Sequence, residues 1–147
     1  MAFPRIDACL LCELARPEAM GKFSLLGYYA IAPYVHIQIQ NFSLPIVLTF
    51  VFAGGPGSGH FRIDLRITAP NGATFDAPGI EGDLLAQATF TNVFMGFQGV
   101  LPGPGDYTAT LLLDGAAHFQ TRFTLDPMAA SPVPVRGIPP PPPIRPN

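Results

Sequence analysis

Hydrophobic and polar residues alternate with a period of two along much of this chain. "VHIQIQ" puts Val35, Ile37 and Ile39 on one side and His36, Gln38 and Gln40 on the other. "HFRIDLRIT" sets Phe61, Ile63, Leu65 and Ile67 against His60, Arg62, Asp64 and Arg66, and "HFQTRFTL" repeats the pattern with Phe119, Phe123 and Leu125. A period of two is that of a strand with one dry and one wet face, and a helical period of 3.6 hardly occurs. Two further stretches, "PIVLTFVFA" and "ATLLL", are apolar on both sides. They predict strands in the middle of a sheet, or strands whose outer face is covered by loops or a partner. Turn residues separate the runs: "RPEAMGK" at 16–22, "AGGPGSG" at 53–59, "PNG" at 70–72, "PGPGD" at 102–106 and "DG" at 114–115. Roughly seven to nine strands at this spacing predict an all-β fold, an antiparallel immunoglobulin-like β-sandwich.

The alternation stops at Asp126. From 127 to 147 the chain reads "PMAASPVPVRGIPPPPPIRPN", with nine of the 18 prolines and no acidic residue. Proline donates no ladder hydrogen bond, so 127–147 is expected to be a disordered or polyproline II tail beyond a sandwich domain of residues 1–126. Arg136, Pro139 and Pro142 fit R-x-x-P-x-x-P, and Pro140, Pro143 and Arg145 fit P-x-x-P-x-R. Both orientations of a polyproline ligand are therefore present, although five consecutive prolines satisfy the PxxP part by themselves. A solubilising end is the plainer reading of the same residues.

Charge narrows the function classes. Only 12% of the 147 residues are charged, 48% are hydrophobic, and the net charge is −2. The eight Lys and Arg residues form no stripe, so nothing matches the footprint of a nucleic-acid binder. No Asp, Glu, Lys or Arg falls between Lys22 and Arg62, yet Pro33, Pro45 and polar residues interrupt that run. Its longest clean piece is about half the ~20 residues of a spanning helix, so no membrane insertion is expected. The opening "MAFPRIDACLL" carries no secretory pattern, and a cytoplasmic location follows as the expectation.

The chemistry-bearing residues are few. Cys9 and Cys12 form a CxxC, but the flanking residues alternate, with Ile6, Ala8, Leu10, Cys12 and Leu14 on one parity and Asp7, Cys9, Leu11 and Glu13 on the other. On a strand, residues three apart face opposite ways with Cα atoms ~10 Å apart, beyond the ~7 Å reach of a disulfide. Two buried thiols are expected, neither a redox centre nor a metal clip. "AGGPGSGHF" leads into a strand rather than a helix, which predicts a hairpin loop in place of a phosphate cradle. His36, His60 and His118 fall on outward faces without a ligand spacing, and no serine sits in a nucleophile elbow. No cofactor, metal or small-molecule ligand is predicted. "FTNVFMGFQGVL" is different: Phe90, Phe94, Met95 and Phe97 lie in a stretch without charge whose parity shifts near Asn92. It reads either as a buried strand or as a contact surface anchored by those four residues.

The stretches "DACLLCELARPEAMGKFSLLGYYAIAP", "HFRIDLRITAPNGATF" and "PGDYTATLLLDGAAHFQTRFTL" resemble a family of short bacterial proteins of unknown function. Its members open on an "LLCD…GKLxLxG" hairpin and close on "PGxYxxxLxVDG". The resemblance spans about 6–125; Glu13 replaces an Asp, and "APNG" replaces "DPDG". It implies a bacterial β-sandwich without a signal segment, and it carries no catalytic residue to transfer. The expected function is a non-catalytic protein-interaction module that docks a partner through the tail (Arg136, Pro139, Pro140, Pro142, Pro143, Arg145) or a sheet edge. A self-assembling structural subunit is the alternative, and an enzyme whose site is invisible in sequence comes third.

Overall fold

A computed structural model describes residues 3–31, 35–84 and 91–129. Ten strands follow one another: β1 (Ile6–Pro17), β2 (Phe23–Ile31), β3 (Val35–Ile39), β4 (Ile46–Gly54), β5 (Gly59–Thr68), β6 (Thr74–Asp76), β7 (Ile80–Leu84), β8 (Thr91–Gly99), β9 (Gly105–Leu113) and β10 (Ala116–Pro127). One sheet has the order β2-β1-β4-β8 and the other β3-β10-β9-β5-β6, with β7 also on β5. The two sheets stack as an immunoglobulin-like β-sandwich, and the alternation of the sequence supplies the buried layer. Leu48, Phe50 and Phe52 of β4 meet Phe61, Ile63, Leu65 and Ile67 of β5 and Phe123 and Leu125 of β10 in one core. The Phe123 ring ties the sheets together, 5.8 Å from Phe50 across the interface and 5.4 Å from Tyr107 alongside it.

Two turns show why the sequence folds locally as it does. Asp114 and Gly115 both have positive φ, the geometry of a two-residue hairpin between β9 and β10. The Asp114 carboxylate also accepts the Arg62 backbone N–H at 2.9 Å, which locks the turn onto β5. At the entry to β9, the buried Tyr107 hydroxyl donates to the Gly103 carbonyl at 2.7 Å. This is the corner bond that holds the crossover between sheets in immunoglobulin-type sandwiches.

Three details depart from the sequence-based expectations. β3 runs parallel to β10, the only parallel pair among the described residues. Parallel neighbours need a long connection, and β3 and β10 are separated by most of the chain. The parity of β1 flips at Asp7, an extra residue between the Ile6–Gly54 and Ala8–Ala53 pairs. That bulge turns Ile6, Cys9 and Leu11 together into the core, where simple alternation placed Ile6 with Leu10 and Cys12. Finally, β10 extends through Pro127, and the Met128 N–H donates to the Ile39 carbonyl at 2.9 Å, so the fold runs past 126.

Candidate interaction surface

The outer faces of the two sheets differ in kind. On the β5 side, charges pair off: Arg62 with Asp64 and Glu81, Arg66 with Asp76 at 2.7 Å, and His60 with Asp83 at 3.0 Å. The Arg66 guanidinium hydrogen-bonds Asp76 and holds its carboxyl below the usual range. His36 meets Asp126 at 2.9 Å, and His118 bonds the Pro4 carbonyl and packs edge-on against Phe3. These are solvated pairs on a wet face, worth little individually. Among the described residues, no three His, Cys, Asp or Glu side chains converge as metal ligands would.

The outer face of the β2-β1-β4-β8 sheet is apolar and partly covered by the chain itself. β1 pairs with β4 only as far as Cys12 but with β2 as far as Pro17, so Glu13–Pro17 and the start of β2 form a two-stranded arm free of β4. The Thr49 hydroxyl, on the outer side of β4, donates to the Glu13 carbonyl at 3.1 Å. Farther along, Phe23 of the arm packs edge-to-face on Phe94 of β8, with ring centroids 5.0 Å apart and planes at 83°. In the sheet, β1 and β4 separate β2 from β8, so this contact requires the arm to lie back across the sheet. Val51 and Cys12, on that outer face, are as buried as the core.

The arm's shape has local causes. Gly27 has φ +59°, and a Cβ there would meet the Glu13 side chain at 2.5 Å, so only glycine lets Glu13 fold over β2. Near it, burial and the Glu13 carboxylate raise the Tyr29 hydroxyl pKa. At the tip, the Glu18 N–H donates to the Lys22 carbonyl at 2.8 Å, and the Ser24 hydroxyl donates to the Glu18 carboxylate at 3.0 Å. Between arm and sheet lies a cleft of about 460 Å³, walled by Ala15, Pro17, Phe23, Asn92 and Phe94 with Glu18 and Lys22 at the tip. Leu14, Leu26 and Tyr28 stand about half exposed on the arm's other side.

β8 borders this cleft. Among the described residues it pairs only with β4, so its other edge presents main-chain donors and acceptors along nine residues, "TNVFMGFQG", with no charge and no proline. Natural edges are usually guarded by lysine, proline or a bulge, and none occurs here.

The candidate residues distribute unevenly. Phe94 is 38% exposed on the outer face. Met95 and Phe97 are corrected to core residues: β8 keeps strict alternation from Val93 to Phe97, which turns all three inward. Phe90, Arg136, Pro139, Pro140, Pro142, Pro143 and Arg145 lie outside the described residues. Phe23 and Leu26 of β2 and Leu14 of β1 were missed; for the two on β2 the signal was the apolar doublets of "FSLLGYY", which leave no dry-and-wet alternation. Cys9 and Cys12 are buried free thiols on opposite faces of β1, and burial, with Cys12 nearby, pushes the Cys9 thiol up to about 12. Burial also raises the Cys12 thiol.

No protein-family model matches the chain, and no curated protein matches it. Among solved structures it is similar to Pseudomonas fluorescens alkylpurine DNA glycosylase bound to DNA containing an abasic-site analogue, with 14% identity and a TM-score of 0.37. That match covers 64% of this chain and only 27% of the glycosylase. The chain is also similar to an immunoglobulin-like protein from Pseudomonas aeruginosa, with 13% identity, a TM-score of 0.40, and coverage of 85% of this chain and 98% of that one. No helix among the described residues is long and apolar enough to cross a membrane.

Proposed function

We propose that this chain is a non-catalytic protein-interaction module of the bacterial cytoplasm, docking a partner through a sheet edge and through the proline-rich segment 127–147. The observation that carries the reading is the β8 edge, which no strand among the described residues pairs, nine residues without charge or proline beside an apolar cleft. Strand addition at such an edge takes its affinity from main-chain hydrogen bonds and its specificity from pockets for alternate side chains. The cleft at Phe94 offers one such pocket. Two buried thiols that face apart on one strand suit a reducing compartment. We also group the chain with the short bacterial β-sandwich proteins that it resembles. The support is positional: "LLC…GKFSLLG" spans the paired strands β1 and β2, and "PGDYTATLLLDG" forms β9 with its Tyr107 corner and Asp114–Gly115 turn.

Site-specific photocrosslinking in the bacterial host tests the reading. A benzoylphenylalanine at Phe94 or at Ile138 is expected to give discrete protein adducts, and one at Gln120, on the outer side of the other sheet, is expected to give none. Absence of adducts from both Phe94 and Ile138 overturns the proposal.

A further inference from the structure

The β8 edge carries more information than its openness. An antiparallel partner strand meets β8 in one of several registers, and a second β8 overlaps all nine residues in only one of them, the register centred on Met95. In that register Thr91 faces Gly99, Asn92 faces Gln98, Val93 faces Phe97, Phe94 faces Gly96, and Met95 faces itself. The side chains match on both faces. Inward, Val93, Met95 and Phe97 are core residues in each copy, so the two cores would join without a polar seam. Outward, two amides would stand opposite one another, and Phe94, whose ring already packs edge-to-face on Phe23 of its own chain, would face Gly96 of the other copy. A Cβ at Gly96 would meet nothing within 4 Å, so the space beside it is open to receive an aromatic ring. Aromatic side chains facing glycine across a strand pair shield its exposed backbone. With no charge on either strand, the pairing sets no like charges opposite one another.

We infer that the partner of the β8 edge is a second copy of this chain, joined β8 to β8 about a two-fold axis at Met95 into a continuous eight-stranded sheet. The inference rests on the interaction-module reading and names its partner. Such an interface is isologous and closes on itself, because each copy offers one β8 edge and uses it. It ends as a dimer and does not propagate as a filament through that edge.

Light scattering on the full chain over a range of concentrations is expected to show a monomer–dimer equilibrium. Gly96→Lys and, independently, Gln98→Lys are expected to shift it to monomer while keeping the unfolding midpoint of the native chain. Register is read by crosslinking. Asn92→Cys and Gln98→Cys variants, mixed and mildly oxidised, are expected to give a disulfide dimer, because opposed residues stand at bridging distance. Either variant alone is expected to give none, because its own copy across the axis is six residues away, about 20 Å. A monomer at every concentration, a dimer indifferent to both lysine variants, or a mixture that crosslinks no better than its components overturns the two-fold pairing. A Phe94 photoadduct containing a different protein overturns it too but leaves the interaction-module reading standing. Absence of adducts from both Phe94 and Ile138 overturns the broader reading as well.

Discussion

Cys9 and Cys12 share a strand and little else. Cys9 points between the sheets, whereas Cys12 points out beneath the arm, its thiol 3.7 Å from the Thr49 carbonyl. Burial, with Cys12 nearby, pushes the Cys9 thiol from its ordinary 9.0 up to about 12, so the native state prefers the neutral thiol. A group raised in this way contributes its stability in full below the unfolded pKa, and that contribution is lost as pH rises toward the folded pKa. Unfolding stability is therefore expected to fall between pH 9 and about 12 and to fall less steeply in Cys9→Ala, as measured by urea titration across that range. Tyr107 offers a second test at this scale. Its ring is fully buried, and its hydroxyl bonds the Gly103 carbonyl. Tyr107→Phe keeps the stacking on Phe123 and loses only that bond, at an expected cost of about 1 kcal/mol in denaturant unfolding.

The arm is the element whose behaviour separates the two thiols. If Phe23 on Phe94 holds it down, Phe23→Ala is expected to speed alkylation of Cys12 severalfold while Cys9, sealed by both sheets, keeps its native rate. Equal acceleration of both thiols would point to global loosening instead. Strands such as β5 and β10 were legible in the sequence because one face is wet: Arg62, Arg66 and Arg122 mark the parity, and the buried set follows. The two apolar sides of "PIVLTFVFA" predicted a strand in the middle of a sheet or one with a covered outer face; β4 lies between β1 and β8, and Val51 on its outer side is fully buried. The arm itself was not legible. Its path depends on β1 leaving β4 after Cys12, and a twist away from a neighbour has no residue-level signature. The bulge at Asp7 was hidden for a related reason, since one extra residue shifts parity without changing composition. For the same reason the 90–101 stretch left open whether its phenylalanines were surface or core. Only pairing with β4 settles Phe94 outward and Phe97 inward.

At the scale of the whole molecule, the two sheets divide the labour. The β5 sheet meets water with paired charges, and the other sheet carries the apolar surface, the cleft and the open edge. The final strand, β10, belongs to the charged sheet and not to the sheet that carries β8. This arrangement makes separate predictions for stability and association. Cutting after Ala129 leaves the Met128–Ile39 bond and the whole β3–β10 pairing in place, and the unfolding midpoint is expected to stay within a degree or two of the full chain. Cutting after Thr124 removes Leu125, a fully buried core side chain, and with it most of the ladder that holds β3. Loss of a leucine from a packed core alone costs about 2–5 kcal/mol, so this shorter chain is expected to be largely unfolded at temperatures where the other is native. Association gives the complementary result. A dimer built on β8 is expected to survive the cut after Ala129, because every residue of that edge, Thr91–Gly99, and the sheet that carries it are retained. Light scattering that showed the dimer vanishing with residues 130–147, while the unfolding midpoint held, would transfer the binding function from the sandwich to the proline-rich segment.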